Sequence, residues 1–105
     1  MKKVQTISAP TRDALGIFAA MIRAARMQRG MTAAELGERI GVSRGVVQRM
    51  EAGEPGTSIG AAFEAAVVLG IPLFDVPAGQ LGAQAVFDAL RMEIEAKLEP
   101  PRGAF

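Results

Sequence analysis

At 105 residues, half of them hydrophobic and 22% charged, the chain suits one small domain burying roughly 60–65% of its unfolded surface, and no apolar run nears the ~20 residues of a membrane span. It has no cysteine and no histidine, which excludes disulfides, thiol or imidazole catalysis and the usual zinc ligands. The net charge of +1 hides a division: residues 1–50 carry nine Lys or Arg against three acids, a balance of +6, and residues 51–105 carry three against eight, a balance of −5.

Residues 1–10 read as an N-terminal arm, with Lys2 and Lys3 but no apolar stretch behind them, so no secretory signal is expected and the protein reads as cytoplasmic. Residues 11–28 repeat apolar side chains at Leu15, Phe18, Ile22 and Ala25 and stop at Gly30, which predicts a first helix after Pro10. Two short helices joined by a tight turn follow. Thr32 and Glu35 spell a capping box, in which each residue's side chain takes the other's backbone amide. Leu36 and Ile40 share one face, and Gly41 ends the helix with positive φ. Val42 fills the turn, Ser43 caps the next helix, and Val47 with Met50 gives that helix an apolar face. Arg44, Gln48 and Arg49 are left outward, and Gly37 stands where two steeply crossing backbones approach. This is a helix-turn-helix.

After a Gly- and Pro-punctuated loop, Ser58 is expected to cap a fourth helix with Ile59, Phe63, Ala66 and Val67 inward, ending at Gly70. Residues 71–76 alternate briefly, and Pro72 confines any strand there to an edge. Within residues 82–98, Val86, Leu90, Ile94 and Leu98 recur at every fourth position and predict a last amphipathic helix. Residues 100–105 read as a flexible tail. The expected fold is all-α, a bundle of four to five helices with room for one short dimer-forming strand. Residues 11–70 form its DNA-binding domain, and residues 71–99 a segment for dimer or partner contacts. Half of the chain being hydrophobic exceeds what the first four helices need. Leu73, Phe74 and Val76, with Val86, Leu90 and Ile94, are therefore the candidate interface of a two-fold dimer.

The spacing over residues 32–53 resembles the Cro and phage-repressor (Xre) type of helix-turn-helix, through Thr32, Leu36, Gly41, Val42, Ser43, Glu51 and Gly53, with Gly37 for Ala and Val47 for Ile. That resemblance implies a lambda-repressor-like bundle and a structural ion pair between Arg26 and Glu51. Ala33 and Gly45 depart from it, standing where the family usually places DNA-contacting side chains. Residues 22–76 further resemble the antitoxins paired with HipA-like serine/threonine kinase toxins, the HipB-like group. The resemblance rests on Arg23-Ala-Ala-Arg26, the Glu51-x-Gly53-x-Pro55 loop, Ser58-Ile59-Gly60 and Val68-Leu69-Gly70-Ile71. In that group a dimer represses its own operon and holds the kinase inactive.

For this chain the implied partners are double-stranded DNA with a palindromic operator, a second copy of itself, and a HipA-like kinase. The helix after Ser43 would enter successive major grooves, with Arg44 on guanine, Gln48 on adenine, Arg49 on a base or a phosphate, and Gly45 and Val46 leaving a smooth surface for a thymine methyl. Thr32 and Ala33 at the start of the second helix, Ser43, Lys2 and Lys3 would meet phosphates. Two other readings remain: a stand-alone Xre-type repressor, and a protein-binding module on a degenerate helix-turn-helix. Ser8, Ser43 and Ser58 suit loop or cap positions, so no catalytic residue, metal or cofactor is expected.

Overall fold

The computed structural model describes residues 6–74 and 84–98. Five helices occupy them: α1 (Ala9–Gln28), α2 (Ala33–Ile40), α3 (Arg44–Glu51), α4 (Ile59–Val68) and α5 (Gln84–Lys97). The structure is all-α, with no strand among the described residues.

Each of the first four helices starts on a side-chain cap. Ser8 accepts from the Thr11 amide at 3.3 Å, so α1 begins two residues ahead of the expected Thr11. Pro10, read as lying outside the helix, sits in its first turn, where a missing N–H costs nothing because no intrahelical acceptor exists for it. Thr32 and Glu35 exchange both bonds of the capping box, at 2.8 and 3.1 Å. Ser43 accepts from the Val46 amide at 3.2 Å and Ser58 from the Ala61 amide at 3.3 Å. Gly41 ends α2 with φ of 77°, a conformation that costs a residue without Cβ nothing.

The core takes one large anchor from each of three helices and one from the end of the fourth. Ile22 of α1, Leu36 of α2, Val47 of α3 and Leu69 after α4 are all but sealed from solvent, and Met50, Ala65, Ala66 and Ile71 complete the cluster. Burial of each large aliphatic chain is worth about 1.5–3 kcal/mol, so these contacts fix how the four helices cross. The angle between α2 and α3 depends on buried Gly37. The Val42 amide donates to the Gly37 carbonyl at 2.9 Å, and a Cβ at position 37 would lie 2.6 Å from the Val42 carbonyl oxygen.

Helix α4 is rotated from the expectation. Ala66 faces the core as expected, together with Ala65, whereas Ile59, Phe63 and Val67, also expected inward, are exposed, Ile59 over 70% of its surface. The segment is apolar nearly all round, so periodicity does not choose a face; the small alanines allow close packing and the bulky chains are turned out. Residues 71–74 form no strand. Ile71 is buried, Pro72 offers no amide, and Phe74 turns the chain with a φ of 55°. Helix α5 buries no residue; Val86 and Leu90 are half-buried and Ile94 is exposed.

Gly37→Ala is expected to lower stability by about 1 to 3 kcal/mol, the usual cost of forcing a methyl into a packed site, because the obstructing atom is backbone and cannot rotate away. Urea denaturation of both proteins measures it, and an unchanged midpoint would contradict the close approach.

Candidate nucleic-acid interface

Helix α3 is held from one side and bare on the other. Val47 and Met50 are buried, and at about 100° per residue the opposite face centres on Gly45, Gln48, Arg49 and Ala52, with Arg44 at one edge and half-buried Val46 at the other. The side chains of Arg44, Gln48 and Arg49 are exposed, and none of them makes a hydrogen bond or ion pair among the described residues. Ser43 Oγ is committed as an acceptor to the Val46 amide, which leaves its hydroxyl proton to donate outward.

The far end of α3 is clamped to α1. Arg26 donates through Nε to Glu51 at 2.7 Å and through Nη2 at 2.9 Å, while its Nη1 donates to the Met31 carbonyl at 2.8 Å. The side chains are only 14% and 9% exposed. Hydrogen bonding to Glu51 outweighs the desolvation of burial and, with the charge of Glu51, holds Arg26 more firmly protonated than usual. Glu51, an acid at a helix C-terminus where the dipole disfavours it, is thereby neutralised. The pair joins the end of α1, the residue before the α2 cap and the end of α3.

At the start of α2 the Thr32 amide donates to the Glu35 carboxylate, as the expected capping box requires, and that bond, with the Thr32 hydroxyl, holds the Glu35 carboxyl below its ordinary range. The box is therefore complete at neutral pH and is lost as acidification protonates Glu35. The remaining donors are the amides of Ala33 and Ala34, the first helical positions, which have no intrahelical acceptor. The Ala33 side chain packs against the core. Arg23 was not among the expected contacts. It lines a hollow of about 300 Å³ together with Gln48, Ala33 and Ala52, floored by Arg26 and Glu51. A charge count cannot place Arg23 beside α3; only the crossing of α1 over α3 does.

The candidate dimer residues separate. Leu73 is half-buried and packs on the core. Phe74 is 65% exposed and stands edge-on to Phe63, ring centroids 5.9 Å apart. Phe74, Val86, Phe87, Leu90 and Ile94 line one groove of about 380 Å³. Lys2, Lys3 and Val76 lie outside the described residues.

A family model described as helix-turn-helix matches residues 22–76, more than half of the chain. No curated protein and no solved structure matches it significantly. No helix among the described residues is long and apolar enough to cross a membrane.

Glu51→Gln keeps the shape of the clamp but leaves Arg26 mostly buried without its counter-charge. The expected loss is about 2 to 4 kcal/mol, read from thermal or urea unfolding; a loss under half a kcal/mol would make the pair an ordinary surface contact.

Proposed function

The chain belongs to the Xre/Cro-type helix-turn-helix family of DNA-binding transcriptional regulators, and from that premise we propose that it is a dimeric operator-binding repressor and the antitoxin of a HipA-like serine/threonine kinase. The observation that carries the DNA-reading half is the bare face of α3, three long polar side chains without a partner among the described residues, on a helix whose other face is locked into the core. In the major groove Arg44 donates two bonds to guanine O6 and N7, Gln48 pairs with an adenine edge, and Val46 lies against a thymine methyl. The Ser43 hydroxyl, the amides of Ala33 and Ala34, and Arg23 take flanking phosphates, with Lys2 and Lys3 adding charge. Arg23 then contributes to affinity and not to sequence choice. Arg23→Ala should weaken binding to operator and random duplex alike and reduce the salt slope by about 1; selective loss on the operator would make Arg23 a base reader.

Residues 11–70 serve as the reading domain and residues 71–99 as the assembly segment. One recognition helix spans too few base pairs for specificity, so two copies bind half-sites about one helical turn apart. The apolar surface proposed to join them runs from Ile59, Phe63 and Val67 of α4 through Phe74 to Val86, Leu90 and Ile94 of α5. Phe74 is well suited to a test, because Asp tolerates its positive φ better than Phe does. Phe74→Asp should shift a sedimentation profile from dimer to monomer without lowering the helix content; a dimer that persists places the interface elsewhere.

Two features support the antitoxin role: the resemblance over residues 22–76, and the exposed carboxylates Asp88, Glu93 and Glu95 on α5, which carries none of the reading face. The test is co-purification with the product of the neighbouring gene. A stable complex with a kinase, and relief of its toxicity on co-expression, is the expected result. Absence of both leaves a stand-alone repressor.

A further inference from the structure

Gly45 sits in the middle of the outward face of α3, one turn ahead of Arg49. Side chains on a helix lean toward its N-terminus, and Arg49 does so fully: a Cβ at position 45 would lie 3.6 Å from Arg49 Nη1 and 3.7 Å from Ser43 Oγ. The guanidinium thus rests over the bare backbone of the first turn of α3. No hydrogen bond or ion pair among the described residues holds it there, and a cation near a helix N-terminus is on the unfavourable end of the dipole. What the location offers is space, because position 45 has no side chain.

We infer that Gly45 and Arg49 act as one guanine-reading unit, in which the missing side chain at 45 seats the Arg49 guanidinium at the N-terminal half of the recognition helix. The inference rests on the DNA-reading role proposed above. The N-terminal residues of a recognition helix are the ones that reach base edges, and a guanidinium presented there can take guanine O6 and N7 together. Arg49 is otherwise one turn too far along α3 for the deepest part of the groove; the gap at Gly45 carries its donors back. Arg44, at the edge of the same face, then reads a different base pair. Position 45 sets specificity without touching DNA, by admitting or excluding Arg49. A methyl there makes only ordinary contact with the guanidinium, whereas a longer chain occupies its place.

The experiment is selection of bound sequences from a randomised duplex library by the wild-type protein and by Arg49→Ala, Arg44→Ala and Gly45→Gln, with thermal melting of each to verify folding. The wild type is expected to prefer guanine at two positions per half-site. Arg49→Ala should lose one of these preferences, by roughly 5- to 150-fold, and Arg44→Ala the other. Gly45→Gln should lose the Arg49 position alone, while melting no lower than the wild type. Retention of that guanine in Gly45→Gln, or a uniform loss of affinity in Arg49→Ala, overturns the unit while leaving DNA reading intact. Selection of no sequence by the wild type overturns the DNA-reading premise itself.

Discussion

The Arg26 fork is the constraint on which the reading surface depends. α3 is only eight residues long, too short to be stable alone in water, and its orientation is decided by what grips its two ends. At the start, the Gly37–Val42 approach and the Ser43 cap set the turn out of α2. At the end, Glu51 is gripped in two bonds by a guanidinium rooted in α1, whose third donor also ties down the chain before α2. Planar, two-pronged bonding fixes direction as well as distance, which a lysine ammonium in the same place would not do. With both ends fixed, the azimuth of α3 is fixed, and Arg44, Gln48 and Arg49 face outward as a consequence.

That arrangement also separates two kinds of surface. Exposed polar side chains gather on α3 with Arg23 beside them, whereas the large apolar chains that the core does not use gather on α4, Phe74 and α5. The core close to α2 and α3 is completed by small residues, Ala65 and Ala66, which is why bulky Ile59, Phe63 and Val67 are available elsewhere. The exposed apolar patch is the counterpart of a closely packed centre, and contiguous patches of this kind mark association surfaces more often than they mark accident. On α5 the charges satisfy one another along the helix, Arg91 with Glu95 and Lys97 with Glu93; such exposed pairs contribute little to stability.

What the sequence discloses here is what local chemistry decides. Thr32 with Glu35, Gly41 and Ser43 specify caps and a reversal within three or four residues, so both short helices and their turn are legible directly. The Arg26–Glu51 pair, 25 residues apart, is legible only through family spacing. The face of α4 is not, because a helix apolar nearly all round gives no phase. Arg23 escaped because its position beside Gln48 comes from a helix crossing and not from any spacing in the chain. The capping box that identifies the start of α2 also occupies the Thr32 amide, which leaves the amides of Ala33 and Ala34 as the ones there without an intrahelical acceptor. Pro10 marks a boundary in sequence but occupies a first turn, where it is equally at home.

As proposed, α3 in this orientation reads base edges in the major groove from two subunits at once. Dimethyl sulfate protection measures this, since the guanine N7 that the reagent methylates lies in that groove. Protected guanines in two symmetric patches about ten base pairs apart are expected when the protein binds its own promoter. Binding that leaves every guanine N7 reactive, or protects a single patch, would contradict it.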